Sequence, residues 1–259
     1  MPFRIACQTI TFGPSQYECF PDVFSAVKAA GYAGVEVGYR HLANHPANVL
    51  GDMLADQGLE LAASHLGGNL EDAGQAEGER GMLDSILDYL NELGTALLMY
   101  SGPQYETDDQ YARFVESLGR AAEKCDARGV ALLYHNHWWE FANEWRAMNA
   151  LFEGTPATLG FCPDVGWVCK GGADVVEFLD RVNGRLGAVH YKDFLTPALE
   201  PKDFCCLGDG VTPFAATTAW LRNHAPALWV IAEQDAADVP AEEAVARNAD
   251  YLRRVVLGG

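Results

Sequence analysis

Positive charge is scarce in this 259-residue chain. Lys and Arg together number 18 against 36 Asp and Glu, which gives a formal net charge of −18. Nucleic-acid phosphates and anionic membrane surfaces are bound by clustered basic side chains, so neither is expected as a partner. Most of the acid excess is expected to keep the protein soluble, and some of it could serve a cation site.

Long apolar runs, cysteine pairs and nucleotide-binding glycine motifs are also missing. No stretch approaches the ~20 apolar residues of a membrane-spanning helix, and the opening MPFRIACQTITFG is typical of a strand and turn rather than a leader peptide. The seven cysteines form no CxxC pair, which favours reduced thiols and a cytoplasmic location. Neither GxGxxG nor a P-loop follows the first apolar run, which disfavours a nucleotide-binding fold.

Short apolar runs alternate with amphipathic stretches along the chain. The predicted strands are Ile5–Thr9, Gly34–Gly38, Glu60–Leu66, Ala96–Tyr100, Val130–His135, Leu159–Cys162, Leu186–Lys192 and Leu228–Glu233. The predicted helices are Pro21–Ala30, Ala47–Gln57, Gly81–Leu93, Asp108–Arg128, Trp145–Phe152, Asp174–Val182, Pro213–Asn223 and Ala241–Val256. Near-continuous apolar strands that alternate with helices are typical of a parallel sheet covered on both faces.

Eight such units in about 250 residues predict an α/β protein with a (β/α)8 TIM barrel as a single domain over residues 1–259. An open doubly wound sheet is the alternative. Four glycines, Gly31, Gly58, Gly94 and Gly129, are expected to end helices in the left-handed conformation. Polar inserts at about 67–80 and 194–211, after the third and seventh strands, are expected to cover a substrate.

Acidic and imidazole side chains fall at the C-terminal ends of the later strands, which converge at one face of a barrel. Buried carboxylates need a counter-charge, so a cation is expected there. The predicted ligands are Glu140, Asp164, His190 and Glu233. Three carboxylates and one imidazole favour one divalent ion, Mn²⁺ first, with Mg²⁺, Co²⁺, Fe²⁺ or Zn²⁺ as alternatives.

Five segments in this order resemble the sugar phosphate isomerase/epimerase-like superfamily, the xylose isomerase-like TIM barrels. They are YHNHWWEF at 134–141, CPDVGW at 162–167, VHYKDF at 189–194, LGDG at 207–210 and AEQD at 232–235. The resemblance implies a divalent metal held by Glu, Asp, His and Glu from strands five to eight. Many members carry the first Glu within strand five, where this chain has Leu132 and Leu133. The chain is instead similar to an HNHxxEF branch, in which the later Glu, here Glu140, takes that role.

The HNHxxEF branch resembles inosose dehydratases and keto-sugar lyases, which implies a histidine base. That role is carried to His137, with His135 as its competitor, and the catalytic set is expected to be His137, Glu140 and Glu233. The substrate is expected to contact Glu36, His65, Tyr100, His135, Trp167 and Lys192. An ion pair of Lys192 with Asp193 or Glu36 is an equal alternative for that lysine.

The expected chemistry is abstraction of a proton next to a carbonyl of a sugar or polyol, which gives an enediolate. Reprotonation makes the protein an isomerase or epimerase, and this is the main functional prediction. Loss of a β-hydroxyl from the same enediolate makes it a dehydratase or lyase on a keto-sugar or inosose, which is the alternative. A DNA-repair endonuclease is disfavoured by the charge, and a non-catalytic carbohydrate-binding barrel and a homo-oligomer are left open.

Overall fold

The computed structural model of the protein describes residues 3–70 and 72–258. Met1, Pro2 and Gly259, at the ends of the predicted domain, and Glu71, in the predicted insert after the third strand, lie outside the described residues. Ten strands are found there: β1 Arg4–Gln8, β2 Gly34–Gly38, β3 Glu60–Gly67, β4 Leu97–Ser101, β5 Ala131–His135, β6 Leu159–Cys162, β7 Ala188–Tyr191, β8 Asp193–Phe194, β9 Phe204–Cys205 and β10 Trp229–Ala232.

Helices lie between consecutive strands, except among β7, β8 and β9. They are α1 Phe20–Ala30, α2 Tyr39–Leu42, α3 Ala47–Gln57, α4 Ala73–Glu92, α5 Asp108–Asp126, α6 Ala142–Gly154, α7 Val165–Lys170, α8 Val175–Val182, α9 Phe214–His224 and α10 Ala241–Leu252. The four predicted helix-ending glycines all have positive φ, between 60° and 94°. No helix in the described part of the chain is long and apolar enough to cross a membrane.

Eight parallel strands form the barrel in the order β6-β5-β4-β3-β2-β1-β10-β7. The ends of this order, β6 and β7, meet through parallel bridges that pair Phe161 with Leu186 and Asp164 with His190. The backbone N–H of His190 also donates to the carbonyl of Pro163 at 2.8 Å. The prediction of a (β/α)8 barrel is therefore confirmed, and two of the predicted metal ligands lie directly at its closure.

Two apolar layers explain why this sequence closes into a barrel. The interior is filled by Ala6, Ala62, Ala63, Met99, Leu133, Cys162, Ala188 and Ile231, each of which is at least 96% buried. A larger apolar cluster fills the space between the strands and the helices. Burial of both faces stabilises each strand at roughly 25 cal/mol per Å² of apolar surface removed from water.

The two predicted inserts differ from the expectation. Helix α4 begins at Ala73 instead of Gly81, because the Asp72 carboxylate accepts a hydrogen bond from the N–H of Gln75 and caps a polar, solvent-facing first turn. The second insert carries the antiparallel pair β8 and β9. Its backbone is anchored by the buried Lys170, which donates to the carbonyls of Thr196 and Pro201 and to the carboxylate of Asp203.

Candidate metal centre

Four side chains with metal-ligand chemistry meet at the C-terminal face of the barrel. His135, Asp164, His190 and Glu233 each offer one ligand atom, and these atoms all lie within 4.8 Å of one another. All four residues are buried. Asp164, His190 and Glu233 were predicted ligands, and the structure brings these three together. The fourth position in the group is taken by His135, which was predicted to contact the substrate or to act as the base.

The strand period explains this convergence. Side chains at i and i+2 of a strand point to the same face. His135, Asp164, His190 and Glu233 each follow an interior residue of the barrel by two positions, namely Leu133, Cys162, Ala188 and Ile231. The same offset from the interior on the other four strands gives Gln8, Glu36, His65 and Ser101. We call these eight residues, one from each barrel strand, the polar layer.

His190 is the most constrained member of the polar layer. Its Nδ1 lies 2.6 Å from Oε2 of Glu233, and its Nε2 lies 2.8 Å from Oε2 of Glu36. A neutral imidazole has one N–H, so it cannot donate to both carboxylates. Burial opposes a charge on His190, but Glu36 and the other neighbours raise its pKa well above the ordinary value. Either a proton or another cation must therefore lie between the ring and Glu233.

Asp164 gives a second indication that this group of side chains suits a cation. Its Oδ1 accepts the N–H of Trp167, whereas the fully buried Oδ2 has no hydrogen-bond partner among the described residues. Nε2 of His135 and Nζ of Lys192 each lie 3.5 Å from this oxygen. A buried carboxylate oxygen without a partner is costly unless a positive ion is close to it. The donor set of two imidazoles and two carboxylates could hold a metal ion.

Two glutamates of the polar layer, Glu36 and Glu233, are ionised. Burial alone would raise the pKa of Glu36, but the charge and hydrogen bonds of His190 and His65 hold it at about 2. Burial also opposes ionisation of Glu233, and Lys192 and His190 keep its pKa well below the ordinary value. The layer therefore presents negative charge to its centre.

Lys192 neutralises part of that charge. Its Nζ lies 3.1 Å from Asp235, 3.2 Å from Glu233 and 3.5 Å from Asp164. The alternative pairing with Asp193 is wrong, because the Asp193 carboxylate accepts backbone N–H groups instead. These come from Phe194, Gly208, Gly210 and Thr212 at 2.9–3.0 Å. Asp193 thus holds the LGDG segment against the chain that leaves β7, which carries Lys192.

The structure does not bring Glu140, a predicted metal ligand, into the group of four potential ligands. Glu140 lies in a short 3-10 turn, Trp139–Phe141, and points back to β5. Its Oε1 accepts the hydroxyl of Tyr134 at 2.7 Å, and its Oε2 accepts the backbone N–H of His137 at 2.8 Å. Burial raises the pKa of Glu140, and these hydrogen bonds offset only part of the rise, so the resulting pKa is about 7. Glu140 therefore holds the loop after β5 in place.

We call the group of His135, Asp164, His190 and Glu233 the metal cluster. His137 faces the cavity above this metal cluster. Its ring stacks on Trp139, with centroids 4.2 Å apart and planes within 10°, and lies 5.4 Å from the ring of His135. Burial, followed by the charges of His135 and Lys192, lowers the pKa of His137 well below its ordinary value. Its ring is therefore neutral, and its buried Nδ1 has no partner among the described residues.

A cavity of about 520 Å³ opens above the polar layer. Its lining includes five predicted site residues, His65, His135, His137, Lys192 and Glu233, and it also includes residues that the sequence analysis did not select. These are Gln8, Ile10, Gln16, Gly38, Arg40, His41, Leu66, Gly67, Ser101 and Asp235. Glu36, Asp164 and His190 are fully buried beneath it. A cavity of this size suits a small cyclic ligand.

Tyr100 and Trp167 do not line this cavity. Tyr100, a predicted substrate contact, points outward from β4 into the layer between strands and helices, where its hydroxyl donates to Glu79 at 3.4 Å. Trp167 is 96% buried and packs against Phe194, with ring centroids 4.7 Å apart. The ammonium of Lys192 lies 5.2 Å from the centre of the Trp167 ring, so this tryptophan supports the lysine from behind.

Comparisons with known proteins identify the family and the fold of this chain. The model of the xylose isomerase-like TIM barrel family matches residues 24–255. A curated relative from Geobacillus kaustophilus (strain HTA426), named inosose dehydratase, is 27% identical over 98% of this chain and 95% of its own length.

Two solved structures share the fold. A sugar phosphate isomerase/epimerase from Parabacteroides distasonis ATCC 8503 superposes with a TM-score of 0.82 at 22% identity, covering 98% of this chain and 94% of that one. The IolI protein, described with a binding zinc atom, has a TM-score of 0.79 at 13% identity and 99% coverage of both chains.

Proposed function

The chain belongs to the xylose isomerase-like TIM barrel family, and on that premise we propose that it is a metal-dependent dehydratase of a keto-cyclitol of the inosose type. This reading was the alternative in the sequence analysis, behind isomerisation. It takes first place because the curated relative described above is an inosose dehydratase and matches nearly the full length of both chains.

The observation that carries the proposal is the buried group of His135, Asp164, His190 and Glu233 beneath the cavity. Oδ2 of Asp164 accepts no hydrogen bond from the described residues, and this oxygen and the short contact of His190 with Glu233 both fit a resident cation. When bound, a divalent ion would polarise the substrate carbonyl and acidify the adjacent C–H bond.

The metal is proposed to be Mn²⁺. The two carboxylates suit Mn²⁺, whereas the second imidazole, supplied by His135 in place of Glu140, favours Zn²⁺, Co²⁺ and Fe²⁺ over Mg²⁺. Glu36 would act behind the metal site, because its carboxylate accepts the Nε2–H of His190 and leaves Nδ1 free for the ion. Metal content by elemental analysis, after growth in defined metals, separates these ions.

His137 is proposed as the base. Its neutral ring faces the cavity beside the metal cluster, so it can take the proton next to the substrate carbonyl. Electrons from that C–H bond form the C=C bond, and the β-hydroxyl leaves as water once it has gained a proton. Lys192, held by Asp235 and Glu233, is placed to donate a hydrogen bond to the oxygen that becomes negative.

The experiment is to incubate the Mn²⁺-loaded protein with an inosose and to follow the conjugated product by absorbance and the loss of one water by mass spectrometry. The same reaction in D₂O tests the isomerase reading, because epimerisation incorporates deuterium without loss of oxygen. The expected result is dehydration that stops when the metal is removed. Deuterium exchange without any dehydration would contradict the proposal.

The role of His137 is tested with a variant and a matched control. His137→Ala is expected to lower turnover by about 10²–10⁴-fold and to keep the metal, because His137 is not part of the ligand group. His224→Ala is the control, since His224 lies at the end of α9 and bonds only the carbonyl of Trp220 among the described residues. Equal turnover in the two variants would remove His137 from the mechanism.

A further inference from the structure

A chain of hydrogen bonds leads from the metal cluster to the opposite side of the cavity. Nε2 of His190 lies 2.8 Å from Oε2 of Glu36, and Oε1 of Glu36 lies 3.2 Å from Nδ1 of His65. Nε2 of His65 then lies 3.0 Å from Oγ of Ser101. The four residues stand on β7, β2, β3 and β4, and all belong to the polar layer. Ser101 was not predicted from the sequence.

The direction of these hydrogen bonds is set by Glu36. An ionised carboxylate can only accept hydrogen bonds, and Glu36 is fully buried with an imidazole at each oxygen. The proton of a singly protonated His65 therefore lies on Nδ1, so its Nε2 is an acceptor. Because Nε2 of His65 then carries no proton, the hydrogen bond between His65 and Ser101 must use the hydroxyl proton of Ser101.

The direction of this hydrogen bond determines what Ser101 can offer to a ligand in the cavity. Ser101 has one hydroxyl proton, and His65 takes it, so the serine offers only oxygen lone pairs to a ligand. Both Ser101 and His65 line the cavity, together with His135 and Glu233 of the metal cluster. Gly67 also lies beside Ser101, since a Cβ on this glycine would be in van der Waals contact with Oγ at 3.8 Å.

We propose that Ser101 is a specificity-determining residue that accepts a hydrogen bond from a substrate hydroxyl, with its polarity fixed by Glu36 through His65. The site thus selects a free hydroxyl at this position and rejects a carbonyl oxygen or a methyl ether, whose lone pairs would face those of Ser101. This inference rests on the proposed function for its substrate class, a cyclic polyol, while the polarity of the Glu36–His65–Ser101 chain does not depend on it.

The polarity is tested without any substrate. Nitrogen-15 NMR of protein loaded with diamagnetic Zn²⁺ and labelled at histidine distinguishes protonated from unprotonated ring nitrogens, and the spectrum of His65→Gln identifies the His65 signals. The expected result at neutral pH is a proton on Nδ1 and none on Nε2. A proton on Nε2, alone or together with Nδ1, would make Ser101 a donor toward the cavity and would overturn the inference.

The selectivity is tested by calorimetric binding of myo-inositol, which carries no carbonyl and is not dehydrated, and of its monodeoxy and mono-O-methyl derivatives. The wild type is expected to lose about 10-fold or more in affinity when one particular hydroxyl is replaced. Ser101→Ala should abolish that single preference, and Ser101→Thr should restore it. Ser117→Ala is the matched control, because Ser117 is a buried serine of α5 that does not line the cavity and also accepts a side-chain hydrogen bond.

The outcomes of these binding measurements distinguish a failure of the role proposed for Ser101 from a failure of the proposed substrate class. A Ser101→Ala variant that keeps the wild-type preference at every position would overturn the role of Ser101. Failure of the wild type to bind any of these polyols would count against the proposed substrate class and against the selectivity of Ser101 for it. The NMR result still decides the polarity of the chain in that case.

Discussion

Glu36 gives the sharpest prediction for the metal centre, because it is fully buried and touches a proposed ligand from behind. The change is Glu36→Gln, which keeps the shape of the side chain and replaces one carboxylate oxygen by an NH₂ group. An NH₂ group cannot accept the Nε2–H of His190 or the Nδ1–H of His65. At least one of the two imidazoles must therefore lose its acceptor or change its tautomer.

The expected size of the effect follows from that contact. The 2.8 Å hydrogen bond from His190 to an ionised carboxylate is charge-assisted, and such bonds contribute about 1.5–3 kcal/mol. Loss of an outer partner of a metal-ligating histidine costs about 10–100-fold in metal affinity, which corresponds to about 1.4–2.8 kcal/mol. The two estimates agree, so Glu36→Gln is expected to raise the dissociation constant for Mn²⁺ by about 10–100-fold.

The assay is competition between the protein and a chelator of known affinity, with circular dichroism as the check that the variant is folded. The matched control is Glu60→Gln, because Glu60 begins the neighbouring strand β3 but its side chain is 63% exposed and pairs with Arg4 at the other end of the barrel. A folded Glu36→Gln variant that binds Mn²⁺ within about twofold of the wild type would refute the idea that Glu36 orients His190.

Three further changes test the surroundings of the site. The folded-state pKa of Glu140 is about 7 against an ordinary 4.5, so the stability it contributes is complete below pH 4.5 and is lost as pH rises through 7. Glu140→Gln should remove this pH dependence of the free energy of unfolding, which amounts to up to about 3 kcal/mol and is measured by chemical denaturation at several pH values. Gly166→Ala should destabilise the protein by about 1–3 kcal/mol, because its Cβ would lie 2.3 Å from a carbonyl oxygen of the chain after β7. Lys170→Met should expose the β8–β9 segment to proteases, since three hydrogen bonds anchor it.

Each of these changes has its own control and its own contrary result. Gly78→Ala on α4 places a Cβ with no atom within 4 Å, so the higher helix propensity of alanine should stabilise the protein slightly. Equal stability of the two alanine variants would contradict the close approach at Gly166. Lys202→Met removes an exposed lysine of the same segment. Equal protease resistance of both methionine variants would show that Lys170 is not the anchor. If the free energy of unfolding of Glu140→Gln depends on pH as it does in the wild type, the dependence comes from groups other than Glu140.

The fold could be predicted from the sequence because each barrel strand is buried on both faces and is therefore nearly continuous in apolar residues. Strands β2 and β6 were predicted with the boundaries that the structure shows. The start of α4 could not be predicted this way, because its first turns face solvent and carry no apolar period. There the capping carboxylate of Asp72, and not a hydrophobic face, sets the first residue.

The metal site was predicted less completely, and strand five shows why. Glu140 was chosen as the acid that follows HNH, yet chain folding after the strand turns it back onto Tyr134. The signal for His135 was present, since Leu133 fills the barrel interior and His135 follows it by two residues. That offset becomes useful only when the interior residue of each strand is known, and the apolar run at 130–134 does not distinguish inward from outward positions.

Most of the cavity-lining residues from the first half of the chain were not predicted from the sequence. Gln16 and His41 lie in short helical turns, where neither strand period nor helix period predicts which way a side chain points. Ser101 is a common residue type at the end of β4, and only its contact with His65 distinguishes it. Such residues can be found from spatial proximity and not from sequence pattern.

The most direct test of the account is anomalous diffraction from crystals of the protein soaked with Mn²⁺. The predicted result is one strong peak within bonding distance of His135, Asp164, His190 and Glu233, with Glu140 remaining bonded to Tyr134. A peak that includes Glu140 and excludes His135, or no peak at this group of side chains, would contradict the proposed metal centre and the chemistry derived from it.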